Sequence, residues 1–160
     1  MTTTDTPNDR ANSVRSARHE YSHSPDFADC RTAVVIDGDE RIRAQLVQTL
    51  EAAGYATDAC ANGIEGVETV LATSPDLVTV EVNLLGIDGI LVIRRIREAG
   101  STAHIIVISG LQDESDKILS FTAGADDYVT KPFRPRELRA RIDAVTRRST
   151  QQATKTRHTA

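Results

Sequence analysis

Four apolar runs each end in a side chain able to do chemistry. Asp37 follows Ala33-Val34-Val35-Ile36, and Glu81 follows Leu77-Val78-Thr79-Val80. Ser109 follows Ile105-Ile106-Val107-Ile108, and Lys131 follows Tyr128-Val129-Thr130. Short β-branched runs of this kind read as strands. In an open parallel sheet, ligands and chemistry collect at the C-terminal strand ends. Two carboxylates meeting there repel unless a cation stands between them. A divalent metal with oxygen ligands and a phosphate is one resolution. The hydroxyl and the ammonium would then take the remaining phosphate oxygens. The plainer account is a scatter of unrelated polar residues at exposed strand ends, and four at one edge weigh against it.

Helical segments separate these runs. Ile42, Leu46, Val47 and Leu50 recur at helical spacing and stop at Gly54. Tyr55 to Ala59 is a weaker strand. Asn62-Gly63 leads a helix with Ile64, Val67, Val70 and Leu71 on one face, ended by Ser74-Pro75. The turn Gly86-Ile87-Asp88-Gly89 opens a helix carrying Leu91, Ile93 and Ile96. Ile118, Leu119 and Phe121 mark the apolar face of another, closed by Gly124, and Leu138, Ile142 and Val145 that of the last. Alternation of this kind predicts an α/β fold with a doubly wound, five-stranded parallel sheet, flavodoxin-like, in the order 2-1-3-4-5. Strands one and three are then neighbours at the switch point, which brings Asp37 beside Glu81.

Composition sets the outer limits. The 160 residues suit one domain. Residues 1–31 and 149–160 are polar and aperiodic, so both are expected to be disordered, leaving a domain over 32–148. Net charge is −4, but 32–146 hold 18 acids against 11 bases, while Arg147, Arg148, Lys155 and Arg157 face no acid after them. An acidic body argues against nucleic-acid binding by the core, and a basic tail is most simply a solvated one. Cys30 and Cys60 lack zinc-site spacing, and two free thiols fit a reducing cytosol. No signal-peptide core or membrane-length apolar run is visible, so a cytoplasmic location is expected.

These residues resemble the receiver domain of bacterial two-component response regulators over about 32–148. Val34 to Glu40 sits where that family has a strand ending in paired acids. Pro75 to Gly89 is similar to its phosphoacceptor strand and the turn after it. Ile105 to Gly110 resembles its Ser/Thr strand, and Gly124-Ala125-Asp126-Asp127-Tyr128-Val129-Thr130-Lys131-Pro132-Phe133 its closing signature, with a cis Lys-Pro peptide. The resemblance implies a non-enzymatic signalling domain with a switch pair, Ser109 and Tyr128, and a phosphate-binding Lys131. Asn83 keeps the position whose backbone carbonyl, with Asp37, would hold Mg²⁺.

Two positions depart from that pattern. Glu81 stands where the family has its phosphoacceptor Asp. In the acidic pocket of Asp37, Gly38 and Asp39, Gly38 replaces the second metal-ligand acid, and Asp39, one residue further on, is expected to point its side chain elsewhere and so is no obvious substitute. Glu reaches roughly 1.3 Å beyond Asp, and a misplacement of about 1 Å can cost a reaction roughly a hundredfold. Loss of a carboxylate ligand weakens Mg²⁺ further. The departures imply a pseudo-receiver in which Glu81 is a fixed, phosphate-like charge near Lys131 and Ser109, with Tyr128 turned inward and any Mg²⁺ weakly held. A working phosphoreceiver is the alternative. A purely structural dimerisation module is another.

The last third resembles the OmpR-type receivers. In these Lys117, Asp126, Asp127, Glu137, Arg139 and Arg141 would pair across a two-fold interface made by the fourth helix, fifth strand and fifth helix, and the partners would be a second copy, a histidine kinase or a downstream regulator. A solvated charged face is the plain alternative. Asp37-Gly38-Asp39 also resembles the Asp-x-Asp motif of haloacid-dehalogenase-type phosphatases, with Ser109, Lys131 and Asp126-Asp127 as further motifs. There the Lys precedes the acidic pair, and here it follows.

Overall fold

The computed structural model describes residues 30–157. Five strands alternate with five helices. They are β1 (Arg31–Ile36), α1 (Glu40–Ala52), β2 (Tyr55–Cys60), α2 (Gly63–Thr73), β3 (Leu77–Val80), α3 (Gly89–Glu98), β4 (His104–Ser109), α4 (Glu114–Ala123), β5 (Asp127–Thr130) and α5 (Pro135–Arg157). The strands form one parallel sheet in the order β2-β1-β3-β4-β5. That is the doubly wound architecture the sequence pattern predicts.

Strand pleating divides the core. Val34, Ile36, Val78, Val80, Ile105 and Val107 face one side and pack with α2 and α3. Ala33, Val35, Leu77, Ile106, Ile108 and Val129 face the other and meet Leu46 and Leu50 of α1 and Leu138, Ile142 and Val145 of α5. Strands covered on both faces must be apolar throughout, which is why these runs do not alternate. Thr79, in the middle of β3, departs from this. It is fully buried, and its hydroxyl has no hydrogen-bond partner.

Two expectations change. Ile118, Leu119 and Phe121 do not enter the core, being 56%, 49% and 47% exposed, and neither do Ile64 and Leu71 of α2, whose core face is carried by Val67 and Val70. The inner side of α4 carries Ser120, whose hydroxyl donates to the Asp116 carbonyl at 2.8 Å, and the partly buried Ala123. Small residues let α4 lie close, so its large apolar side chains turn outward. The second change is at the C-terminus. The segment from 149, read as a disordered tail, continues α5 as far as Arg157. It has no apolar face to bury. The helix propagates from a nucleated segment, and the hydroxyls of Ser149, Thr150, Thr154 and Thr156 donate to carbonyls four residues back. Arg31 also donates to Thr150 at 2.6 Å. The N-terminal segment expected to be disordered lies outside the described residues as far as 29, as do 158–160. No helix among the described residues is long and apolar enough to cross a membrane.

Candidate functional site

The register fixes which side chains meet. Ile36 pairs Val80 and Val80 pairs Val107, so the next residues of β1 and β3 emerge side by side. The Glu81 N–H donates to the Ile36 carbonyl at 2.9 Å, and the Lys131 N–H to the Ser109 carbonyl at 2.8 Å. The turn after Glu81 is shaped by two glycines. Gly86 has φ +89, and a Cβ on Gly89 would overlap the Glu81 carbonyl. Asp88 caps α3 by accepting from Leu91 N–H at 2.9 Å. The turn thus folds tightly back on Glu81.

Asp37, Glu81 and Lys131 converge. Lys131 Nζ lies 2.6 Å from Glu81 Oε2 and 2.9 Å from Asp37 Oδ2. The Asp37 and Glu81 side chains are only 2% and 8% exposed. Each acid spends its other oxygen on the backbone. Asp37 Oδ1 accepts from Asp39 N–H at 2.9 Å, and Glu81 Oε1 from Asn83 N–H at 3.0 Å. Burial pulls the Lys131 pKa down, but the bonds to Glu81 and Asp37 outweigh it and leave it raised. The Lys131-Pro132 peptide is cis.

Other predicted positions go elsewhere. Asp39 is not in the acidic pocket. Its carboxylate is exposed and caps α1, accepting from Arg41 and Ile42 N–H at 2.9 and 3.2 Å. The bonds from Ile42 and Arg41 hold its carboxyl below the ordinary value. An Asp immediately before Glu40 at a helix start is a favoured N-cap, and that preference wins. The Asp-x-Asp pair of a phosphatase is therefore not formed. Ser109 is buried, and its hydroxyl accepts from Leu111 N–H at 3.2 Å. Tyr128 is 9% exposed, with its hydroxyl donating to the Leu111 carbonyl at 2.7 Å. Burial raises its pKa, against a hydrogen bond from Ser109 that lowers it. Lys117 Nζ stands 5.7 Å from the centre of that ring.

The charges expected at a dimer face separate into groups within one chain. Arg141 pairs with Asp127 at 2.9 Å and with Glu137 at 3.1 Å, and Arg139 with Asp143 at 2.9 Å. Asp126 lies apart from these, accepting from Arg97 at 2.9 Å and from Ile105 N–H at 2.8 Å. Arg97 was not singled out from the sequence. It also donates to the carbonyls of Ser101, Ala103 and Gly124, tying α3 to the end of α4. Four of its five bonds go to backbone carbonyls, so no motif announces it.

Comparison with known proteins decides the lineage. The family profile of the response regulator receiver domain matches residues 33–143. The chain belongs to the response regulator receiver family. It is 42% identical over 122 residues to the transcriptional regulatory protein CseB of Streptomyces coelicolor, a match covering 76% of this chain and 52% of CseB. It is 40% identical over 118 residues to ResD of Bacillus subtilis, covering 74% and 49%. This receiver thus spans about half the length of the curated relatives it matches. A solved BeF3-activated receiver domain of DrrB superposes with a TM-score of 0.69 at 28% identity, covering 74% of this chain and 98% of that one. Receiver domains of this family act in two-component signalling.

The Mg²⁺ that the receiver fold implies does not fit the side chains present. Both oxygens of Asp37 and both of Glu81 are engaged. Gly38 offers no ligand. Among the described residues, no group of three or more His, Cys, Asp or Glu is placed to hold a metal ion.

Proposed function

We propose that this chain is a receiver that signals by binding, without a phosphoryl cycle at residue 81. The ion pair at 2.6 Å between Glu81 and Lys131 carries this reading. Glu81 is a permanent carboxylate on the lysine that, by resemblance, would grip a phosphoryl group. It carries less charge than a phosphate would, so it is a partial imitation. The inward Tyr128, with its hydroxyl on Leu111, supports a switch set without a phosphodonor. Misplacement of the longer carboxylate and the missing ligand at Gly38 both act against phosphoryl transfer.

The output surface of this reading is α4-β5-α5, and its occupant is a second copy of the chain. Ile118, Leu119 and Phe121 expose apolar area on α4, while Asp127 of β5 and Glu137, Arg139 and Arg141 of α5 supply charges of both signs. A self-complementary patch of this composition suits a two-fold interface. A histidine kinase, or a downstream regulator like the transcriptional proteins to which the chain is similar, is the further partner class. Intact mass after incubation with acetyl phosphate and Mg²⁺ tests the reading. The mass should not change. A stoichiometric gain of one phosphoryl group, lost in Glu81→Gln, overturns it.

A further inference from the structure

Two buried carboxylates on adjacent strands need a counter-charge, and the chain supplies one cation to both. Lys131 Nζ touches Glu81 Oε2 and Asp37 Oδ2 at once, at 2.6 and 2.9 Å. The remaining oxygens are held by the N–H groups of Asn83 and Asp39. Each of the four carboxylate oxygens thus already accepts a contact from within the chain, so an incoming ion must compete with a built-in partner. Extending the pseudo-receiver reading, we infer that Lys131 is the resident counter-ion of the Asp37–Glu81 pair, taking the place between two carboxylates that a divalent cation would otherwise fill, and that it closes this pocket to Mg²⁺.

The chemistry follows from which contacts would have to break. A metal ion entering the pair must displace the ammonium from both acids. That leaves Lys131, whose side chain is 19% exposed, without its partners in a half-buried place. Mg²⁺ also sheds water reluctantly and asks for near-ideal geometry, which Gly38 cannot help to build. Deleting the ammonium reverses the balance. Two buried carboxylates without a cation are strongly unfavourable, so the pocket should then accept one from solution.

The test titrates the full chain with Mn²⁺, read by the paramagnetic signal of the free ion, and follows the thermal midpoint with and without Mg²⁺. Wild type and Lys131→Arg should show no saturable binding and no shift. Lys131→Met should melt lower without metal, bind Mn²⁺ saturably, and rise by roughly 8–10 °C at a hundredfold excess of Mg²⁺ over its Kd. Adding Glu81→Gln to Lys131→Met should remove that rise. Binding by wild type as tight as by Lys131→Met overturns the inference, as does a folded Lys131→Met that binds nothing. If Lys131→Met does not fold, the double variant Glu81→Gln, Lys131→Met decides. Its folding supports the counter-ion role, and its failure to fold overturns it in favour of packing by the lysine stem. Intact mass after acetyl phosphate separates the two proposals. Wild type that binds Mg²⁺ but gains no phosphoryl group sinks only the inference about Lys131. A gain of phosphoryl without metal binding sinks only the pseudo-receiver reading.

Discussion

The hydroxyl of Tyr128 donates to the carbonyl of Leu111 at 2.7 Å, and this bond fastens β5 to the loop that leads into α4. The same loop is held from β4, because Leu111 N–H donates to the Ser109 hydroxyl. Both groups of one residue, Leu111, are thus bound by the two side chains that the receiver resemblance marks as a switch. The loop and the ring are set together.

Tyr128→Phe keeps the ring and removes only the donor. A net loss of about 1 kcal/mol is expected, since the Leu111 carbonyl can turn to water. Amide shifts in the Ser109–Asp113 loop should move with it. A variant with unchanged stability and an unchanged loop spectrum would show that the bond does not set the loop.

Thr79 offers a gain. Its hydroxyl is buried in an apolar layer, against Val35 and Ile106 on the neighbouring strands, and has no partner. Thr79→Val preserves shape and removes the unsatisfied group, so stability should rise by about 1 kcal/mol. Denaturant unfolding with an unchanged slope measures this. A loss of stability would mean that the hydroxyl is in fact satisfied.

Stability should fall at high pH in two stages. Burial raises the Cys60 thiol from 9.0 to about 11, so the folded state holds this proton more tightly than the unfolded one. Its contribution is fully present below pH 9 and is lost between there and pH 11, a change of about 2–3 kcal/mol. Tyr128, held above 10.0 by burial, and Lys131, held above 10.5 by its ion pairs, make the second stage: each contributes fully below its ordinary pKa and loses that contribution as pH rises past the folded value. Cys60→Ala should abolish the first stage and leave the second. Unfolding midpoints at pH 8, 9.5 and 11 in both chains check this, and an identical decline in the two would contradict the assignment.

Phe121→Asp should leave the fold intact, within about 0.5 kcal/mol, because the side chain is exposed. Sedimentation should show self-association weakened relative to wild type. If the wild-type chain stays monomeric at high concentration, or if Phe121→Asp associates equally, the α4 surface is not the dimer face.

The order of elements and the convergence at one sheet edge were legible from the sequence. Apolar runs announce strands, and parallel strands have only one end for their last residues. Sharing a face is also legible, but not which way the face turns. Ile118 and Phe121 line up on α4 and still point outward, because Ser120 and Ala123 are small enough to set that helix close. The α5 segment after 148 lacks the apolar period that reveals a helix, since it continues one already begun. Glu81 and Asp37 could be placed together in advance. That one ammonium would serve both acids depends on Lys131 reaching from β5 past β4, a distance no local pattern encodes.

Gly38 gives the most direct control for the central claim. A Cβ there would meet only the Ala61 carbonyl, at 3.7 Å, an ordinary van der Waals contact, so the backbone at 38 has room for a side chain to begin. The measurement is intact mass after acetyl phosphate and Mg²⁺, with wild type beside Gly38→Asp, Glu81→Asp. Wild type should keep its mass while the double variant gains one phosphoryl group. Wild type gaining a phosphoryl group at Glu81 would contradict the account.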